Sequence, residues 1–373
     1  MKRILPLALL ALMLSCAQQP KVKTFSILDC GAVNGAECTE AIQQAIDKAE
    51  QAGGGQVVIP AGTFLAHTLY LKDGVDLHLE EGALLQGVSD PDEYFPYIPT
   101  NDLSRFDSGN GTANSNCVND RQWMKAFIIG AGVKNASITG PGTIDGIHVF
   151  DERGEESMRG PHTIIVAEAE DFRMADVHIT RAANYAFLGY ALTDAVFEDV
   201  TMTEGWDGIH IRGAKNCVIR RCRFETGDDS IAGGYWENML IEDCDINSSC
   251  NGLRMIMPSD GLEVKNSVFH GPGVYPHRTS GEARRTNMLF GIVLEPGAWG
   301  PASGEARNIY LHDLEMYGMS AAVSTSVREG SVAQDLTLEN INARELTGQM
   351  TPVVSWNDLG FRQVTVKNCT FSR

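Results

Sequence analysis

The sequence predicts an all-β fold, a parallel β-helix with coils of about 22 residues. Similar triplets recur at steps of 22 or 23 residues between positions 196 and 269: Val200-Thr201-Met202, Cys222-Arg223-Phe224, Cys244-Asp245-Ile246 and Ser267-Val268-Phe269. Short runs of Val, Ile and Leu, broken by Asn, Gly and Asp, indicate strands and turns within each repeat, and 22 residues are too few for a propeller blade. Neighbouring coils are therefore expected to lie one strand spacing apart, ~4.8 Å.

Length and composition fit one elongated domain over residues 24–373. The chain has 373 residues, 43% of them hydrophobic, and 38 glycines, which is enough for a long core with many turns. Its formal net charge of −18 argues against nucleic acid as a partner and repels acidic polysaccharides at long range.

The first 16 residues have the pattern of a targeting segment. Lys2 and Arg3 precede an apolar run, Ile4–Leu14, that is too short to span a bilayer, as in a signal peptide. The end of this run resembles the bacterial lipoprotein box, so Cys16 is expected to carry a lipid and residues 17–23 to form a tether. A bacterial membrane would then be a partner, and the location would be the cell envelope, on the periplasmic side or the outer-membrane surface. Ordinary secretion with removal of Cys16 is the alternative.

The first predicted elements are a strand, Thr24–Leu28, and one helix, Thr39–Gln51. Thr39 is expected to cap the helix, and Gly53-Gly54-Gly55 to end it. The apolar face of the helix consists of Ala41, Ile42, Ala45, Ile46 and Ala49. A single helix ahead of a β-solenoid is expected to seal the open end of the core.

Strands follow the helix, and two insertions interrupt them. Residues 89–120 are polar and are expected to project as a loop. A step of 39 residues from Gly252 to Gly291 contains a second, basic loop with His270, His277, Arg278, Arg284 and Arg285. The predicted strands are Gln56–Ile59, Val75–Leu79, Ala83–Gln86, Ala126–Ile129, Ile309–Met316, Leu336–Ile341 and Val364–Phe371.

The cysteines suggest packing and one possible disulfide. Cys222 and Cys244 are 22 residues apart and are expected to form an inward ladder. Cys30 and Cys38 flank a short loop and could pair in an oxidising compartment. No Cys or His spacing indicates zinc, and no cofactor or metal is predicted.

Three aspartates stand just before a strand in adjacent repeats. Asp207 and Asp229 occupy the same place in neighbouring coils, and Asp228 can share their cleft where Gly227 lets the chain bend. Three crowded carboxyls cannot all ionise freely, so one pKa should rise, and that group can donate the proton that glycoside hydrolysis requires. Aspartates that bond turn backbone, or a calcium site, are the other interpretations.

Strand alternation places further candidates beside the aspartates. With Ile209, Ile231, Leu253 and Ile292 facing inward, the outward residues are His210, Arg212, Ser230, Ala232, Arg254, Val293 and Glu295. Trp206, Tyr235, Trp236 and Trp299 are candidates to stack on sugar rings, although each could equally be a packed aromatic.

Several sequence blocks carry a family resemblance. They are Asp29 to Val33, Thr39 to Ala45, Gly53 to Phe64, Leu77 to Ala83, Gly140 to Gly146, Arg159-Gly160-Pro161, Gly205-Trp206-Asp207-Gly208 and Gly227-Asp228-Asp229. Over residues 24–300 the chain resembles glycoside hydrolase family 28, the polygalacturonase family of pectin-type right-handed β-helix proteins. The resemblance implies an inverting hydrolase in which Asp228 is the general acid, while Asp207 and Asp229 hold and activate the water.

The chain departs from this family at two places that affect the substrate. Asn251 stands where the family has the histidine that tunes the acid, and Glu295 stands where it has the lysine that helps hold a galacturonate carboxylate. An acid at that place repels a uronate. Substitutes for the missing cation could be Arg254 or the loop residues His277, Arg278, Arg284 and Arg285; otherwise the sugar is neutral or carries its charge elsewhere.

The leading hypothesis is an inverting glycosidase that acts on a pectic or related polysaccharide or oligosaccharide. A β-helix polysaccharide lyase and a non-catalytic glycan-binding envelope protein are the alternatives. The expected substrate-binding residues are Asn251, Arg254, His210, Arg212, Glu295, Trp206, Tyr235, Trp236, His277 and Arg278.

Overall fold

Parallel strands form three sheets that run along the length of the chain. The computed structural model describes residues 22–107, 116–298, 304–355 and 360–373, so Cys16, most of the expected tether and Trp299 lie outside the described residues. In a typical coil the chain adds one strand to the first sheet, then one to the second and one to the third.

Each sheet is a ladder of strands from successive coils. The first sheet contains β1 (Thr24–Ser26), β2 (Gly55–Ile59), β5 (Val75–Leu79), β8 (Ser137–Thr139), β11 (Arg173–Ala175), β14 (Val196–Glu198), β17 (Val218–Arg220), β22 (Asp260–Lys265) and β29 (Arg362–Lys367). The second contains β3 (Gly62–Ala66), β6 (Ala83–Gly87), β9 (Thr143–Asp145), β12 (His178–Thr180), β15 (Thr201–Glu204), β18 (Arg223–Thr226), β20 (Asp245–Ser248), β23 (Val268–His270) and β30 (Thr370–Phe371). The third contains β4 (Leu69–Tyr70), β7 (Ala126–Ala131), β10 (His162–Ala167), β13 (Phe187–Thr193), β16 (Ile209–Lys215), β21 (Asn251–Met255), β24 (Met288–Leu294), β26 (Met319–Thr325) and β28 (Val354–Ser355).

Three long strands each run from one sheet into the next. Strand β19 (Ile231–Glu242) joins the third sheet to the first. Strands β25 (Glu305–Tyr317) and β27 (Val332–Arg344) join the first sheet to the second.

The interior of the coils is a ladder of apolar side chains, as the repeat predicts. Ile209 pairs with Ile231, Ile231 with Leu253, and Leu253 with Ile292, and all four are buried. Burial of such a side chain contributes ~1.5–3 kcal/mol, so each coil is stabilised mainly by its neighbours. The predicted parallel β-helix is confirmed. Cys222 and Cys244 are buried and unpaired on this ladder, as predicted.

The predicted helix is confirmed as α1 (Thr39–Gln51), which packs on β1, β2, β4 and β5 at the start of the solenoid. Its cap is different from the prediction. The N-cap residue is Cys38, which makes no side-chain cap bond. Thr39 does not cap the helix, since its hydroxyl is bonded to Glu37 and to the amide of His67. The Cys30–Cys38 disulfide is also wrong, since both thiols are free and that of Cys38 is bonded to loop carbonyls.

The segment at 89–120 does not project from the coils, in contrast to the prediction. Its described part buries Tyr97, Leu103, Phe106 and Val118 in a second apolar cluster on the outer face of the third sheet. The apolar residues scattered through this polar stretch give it a face that packs on the sheet.

Short 3₁₀ turns lie at Ile27–Cys30, Pro91–Glu93, Ser104–Phe106, Glu155–Ser157 and Arg278–Ala283. Among the described residues, no helix combines the length and the apolar character needed to cross a membrane.

Candidate active site

The three aspartates lie together at the turn between the second and third sheets. Asp207 follows β15, whereas Asp228 and Asp229 follow β18 in the next coil. The amide of Gly208 bonds to the carbonyl of Asp229, and that of Ser230 to Asn251, each at 3.0 Å. One carboxylate oxygen from each of the three aspartates lies within 4.8 Å of the other two. The stacking predicted from the 22-residue spacing is therefore confirmed.

The turn that carries Asp228 requires a glycine at position 227. A Cβ on Gly227 would lie 2.5 Å from the carbonyl oxygen of Gly205 and 3.0 Å from that of Pro276. The Asp228 carbonyl accepts hydrogen bonds from the hydroxyls of Ser248 (2.6 Å) and Thr226 (3.0 Å). These contacts fix the backbone from which the carboxyl projects.

Asp207 is held by a histidine whose tautomer the structure determines. Nδ1 of His210 lies 2.7 Å from Oδ2 of Asp207, while its Nε2 accepts from Nε–H of Arg212 at 3.3 Å. Because Arg212 can only donate, the neutral ring carries its proton on Nδ1 and donates it to Asp207. Burial and then the charge of Arg212 lower the pKa of His210 well below its usual value, which favours this neutral form.

Four residues expected to contact the sugar are buried instead. His210 is 1% and Arg212 0% exposed, because residues 97–107 and 116–123 cover the outer face of the strand that carries them. The indole N–H of Trp206 donates to the carbonyl of Ala183 at 3.0 Å, and that of Trp236 to Ile211 at 2.9 Å. The predicted direct sugar contacts of His210, Arg212, Trp206 and Trp236 are therefore wrong.

Tyr235 is not brought to the aspartates either. Its ring is half-buried and packs against Phe106, with the Arg105 guanidinium 5.0 Å from the ring centroid. It lines a different cavity, formed by Arg105, the middle of β19 and the first residues of β22 and β25.

Asp229 contacts Asn251 directly and is linked to Glu295 through Arg254. Nδ2 of Asn251 donates to its Oδ1 at 2.7 Å. Arg254 Nη1 lies 3.7 Å from the other oxygen, and the same guanidinium lies 3.0 Å from Oε2 of Glu295. The structure thus brings these three predicted residues to the site, but it pairs the acid Glu295 with the cation Arg254.

Asp228 lies between an arginine and a histidine that come from other parts of the chain. Nη2 of Arg159 is 3.5 Å from Oδ2, and Nε2 of His277 is 3.5 Å from Oδ1. Arg159 is buried, with its guanidinium 3.8 Å from the Trp206 ring centroid and 3.0 Å from the carboxylate of Glu156. Glu155 is a further buried acid beside Arg159, at 3.4 Å.

Two site residues were missed in the sequence analysis. Arg159 belongs to a quoted family block, but nothing in its spacing relates it to the repeat that contains the aspartates. Tyr185, whose ring stacks on His210 at 4.6 Å, had a usable signal, because it precedes Asp207 by one 22-residue coil.

The environment gives the three carboxyls different pKa values. Burial, and then the charges of Asp228 and Asp229, raise the pKa of Asp207 well above its usual value. Burial and Asp228 raise the pKa of Asp229 to about 6. Burial acts in the same direction on Asp228, but the His277 hydrogen bond and the Arg159 charge outweigh it and lower its pKa. The sequence predicted a rise in one pKa, whereas the surroundings raise two, those of Asp207 and Asp229. They favour the ionised form of Asp228, the residue that the family resemblance makes the general acid.

Two groups of side chains at the site could hold a metal ion. The oxygens of the three aspartates suit a hard cation such as calcium. Asp228, Cys250 and His277 offer one oxygen, one sulfur and one nitrogen within 4.8 Å of each other, a donor set that suits zinc.

A cavity of about 410 Å³ lies beside the turn that carries Asp207. It is lined by His148, Glu204, Gly205, Tyr275, Pro276, Arg278 and Arg284. The buried Nη1 of Arg278 has no hydrogen-bond partner within the described structure. Arg278 is therefore available for an anionic or hydroxyl group of a ligand.

Comparisons with known proteins agree with this architecture. Residues 162–297 match the family model for a right handed beta helix region. The exopolygalacturonase from Thermotoga maritima superposes with a TM-score of 0.65 at 17% identity, covering 95% of this chain and 94% of that one. The chain is a right-handed parallel β-helix protein.

Relatives of this β-helix protein include enzymes and one surface protein. An endo-polygalacturonase of Pectobacterium parmentieri is 24% identical over 289 residues, which cover 62% of this chain and 67% of that protein. The Streptococcus pneumoniae surface protein and adhesin PfbA has the same fold, with a TM-score of 0.57 at 14% identity over 94% of this chain and 100% of that one. The fold alone therefore does not determine an activity.

Proposed function

We propose that this protein is a glycoside hydrolase that cleaves a pectic or related glycan with inversion. The observation that carries the proposal is the group of three carboxyls in adjacent coils, whose pKa values are moved in opposite directions. Carboxyls tuned apart in this way supply an acid and a base at one pH. The sequence similarity to polygalacturonases supports the same reaction class.

In this proposal Asp228 donates a proton to the glycosidic oxygen, while Asp207 and Asp229 hold and activate the attacking water. Asp228 is the most exposed of the three, at 17% of its side chain, against 5% and 6% for the others. Its role requires that the proton held by Asp207 or Asp229 in the free protein moves to it when the substrate binds. The short separation of the carboxyls, within 4.8 Å, allows that transfer.

Inversion rests on the family resemblance of the catalytic blocks, not on the carboxyl spacing. Inverting enzymes usually separate their carboxyls by ~6.5–9.5 Å, more than the distances between the nearest oxygens here. NMR of the first-formed product distinguishes the two outcomes, because the anomer opposite to that of the substrate is expected and the same anomer would contradict inversion.

The reaction class is tested with purified protein and its aspartate variants. Wild type is expected to release reducing ends from pectic oligosaccharides, whereas Asp207→Asn, Asp228→Asn and Asp229→Asn reduce kcat by at least ~10²-fold. Asp194→Asn is the control, since Asp194 is exposed at the turn between the third and first sheets, away from the three aspartates, and Asn tolerates its positive φ. An unsaturated product would instead identify a lyase, and binding without turnover a non-catalytic protein.

An activated substrate separates the roles of the aspartates. A good aryl leaving group does not need protonation, so the variant that lacks the acid keeps its activity on an aryl glycoside. Asp228→Asn is expected to behave in this way, and Asp207→Asn is expected to be inactive on both substrates. Retention by Asp229→Asn instead of Asp228→Asn would assign the acid to Asp229.

We also propose that Cys16 is lipidated and anchors the chain at a bacterial envelope. The support is the apolar run Ile4–Leu14, which is followed by Ser15 and then by this cysteine. Metabolic labelling with a radioactive fatty acid in a bacterial host is expected to mark the full-length chain but not the Cys16→Ala variant, and equal labelling of both would contradict the proposal.

A further inference from the structure

We infer that His277 positions the carboxyl of Asp228 for the reaction. His277 lies in the 271–287 loop, the stretch between β23 and β24 that interrupts the 22-residue repeat. The inference rests on the proposed hydrolase function, since it assigns a positioning residue to the acid of that reaction.

The contacts of the His277 ring point to Asp228. Nε2 lies 3.5 Å from Oδ1, while Arg159 occupies the other oxygen of the same carboxyl at the same distance. The edge of the ring packs against Trp206, with centroids 6.2 Å apart. Nδ1 of His277 is buried and has no hydrogen-bond partner among the described residues. Among the described residues, the carboxyl of Asp228 is thus the group that Nε2 of this ring faces.

The coil beneath the loop holds His277 in place. The buried Asn247 donates from Nδ2 to the carbonyls of His270 and Pro272, both at 2.8 Å, and accepts from the amide of Val274 at 2.7 Å. The hydroxyl of the buried Ser249 donates to the carbonyl of Tyr275 at 2.5 Å. A loop fixed by two buried polar side chains carries the ring at a defined place.

The 271–287 loop is also tied down around His277 itself. The amide of His277 donates to the carbonyl of Arg285 at 2.8 Å, and its carbonyl accepts from the hydroxyl of Ser280 at 2.5 Å. Across the site, the hydroxyl of Thr279 donates to Glu156 at 2.7 Å. Glu156 also binds Arg159, so one carboxylate links the loop that carries His277 to Arg159.

The two partners of the Asp228 carboxyl decide the expected effect. Removal of the His277 ring takes away the contact on Oδ1 and leaves Arg159 on Oδ2, so the carboxyl is expected to be less well oriented.

Steady-state kinetics test this role with three variants. His277→Ala is expected to lower kcat by roughly 10- to 100-fold and to change KM by less than about 2-fold. His277→Gln keeps an N–H donor and is expected to recover most of the rate. His312→Ala is the control, since His312 pairs with Glu263 and Asp313 near the surface of β25, away from the loop.

Carboxyl NMR provides a readout that does not require activity. With ¹³C-labelled aspartate, the Asp228 carboxyl signal, assigned by its loss in Asp228→Asn, is expected to move at a fixed pH in His277→Ala and to return towards its wild-type position in His277→Gln. An unchanged signal in His277→Ala would overturn the inference, as would a wild-type kcat in that variant. Absence of hydrolysis in wild type would instead contradict the proposed function and leave the NMR comparison valid.

Discussion

His210 donates its Nδ1 proton to Asp207 at 2.7 Å, and Arg212 fixes the other side of the same ring. All three side chains are buried. The relay of donors therefore orients the carboxyl that is proposed to hold the attacking water, without contact between His210 or Arg212 and the sugar.

His210→Ala is expected to lower kcat by at least about 10-fold with little change in KM, because Asp207 loses its orientation. It is also expected to reduce the free energy of unfolding by ~2–4 kcal/mol, since a cavity and two unpaired polar groups remain. Steady-state kinetics and urea unfolding measure both effects. His312→Ala, near the surface of β25, is the control. Wild-type kcat in a folded His210→Ala protein would remove the assigned role.

Asp229→Asn is expected to stabilise the protein at neutral pH. The pKa of Asp229 is about 6 in the folded protein and ~3.9 in an unfolded chain, so the folded state holds the extra proton between these values. Stability from this group is therefore present below pH ~4 and is lost as pH rises through ~6, by an amount on the order of 3 kcal/mol. The amide of Asn at 229 avoids that loss. Urea unfolding at pH 4.5 and 7.5 should show the gain mainly at the higher pH.

Asp228→Asn is expected to act in the opposite direction. The folded-state pKa of Asp228 lies below its usual value, so its carboxylate contributes stability that is present above the unfolded pKa and is lost in acid. The neutral variant leaves Arg159 and His277 without their anion, and should be less stable than wild type at pH 7.5 but close to it in strong acid. Equal changes in Asp228→Asn and Asp229→Asn at pH 7.5 would contradict the opposed electrostatics of the two neighbours.

The repeat accounts for how much of the fold could be predicted. Inward Ile209, Ile231 and Leu253 recur at the period of the coil, so their pairing follows from spacing alone. The same spacing placed Asp207 over Asp229. The bounds of α1 were predictable because its apolar face has a helical period and a run of glycines follows it.

The rest of the site depends on segments without a period. Alternation correctly gave His210 and Arg212 as outward, but it could not show that Phe106 and its neighbours cover them. Arg159 approaches Asp228 from a turn 69 positions earlier in the sequence, and no local pattern indicates that contact. His277 was a candidate because of its charge, whereas its contact with Asp228 follows from the anchoring of the loop by Asn247.

Glu295→Gln is expected to improve binding of an acidic glycan. Glu295 neutralises Arg254, which is 30% exposed and lies beside Asp229. Removal of the carboxylate leaves Arg254 free to bind a uronate, so KM for a galacturonate oligosaccharide should fall by several-fold, while KM for a neutral glycan should not change. Glu263→Gln is the control, because Glu263 pairs with Lys265 and His312 on the first sheet, away from the site. An equal change for both glycans would show that Glu295 does not act through charge.

Arg159→Met is expected to be the most destabilising of these changes. The buried guanidinium faces Glu155, Glu156 and Asp228, so its loss leaves several carboxylates without their cation. Removal of one partner from such a buried group costs ~3–5 kcal/mol. The double variant Arg159→Met/Glu155→Gln should recover part of this free energy of unfolding, because it removes one of the unpaired charges. Arg173→Met is the control and should cost less than about 1 kcal/mol, because Arg173 is half-exposed and Glu198 keeps Arg220 and Arg221. If the double variant is no more stable than Arg159→Met at pH 7.5, packing against Trp206, rather than charge balance, is the main contribution of Arg159.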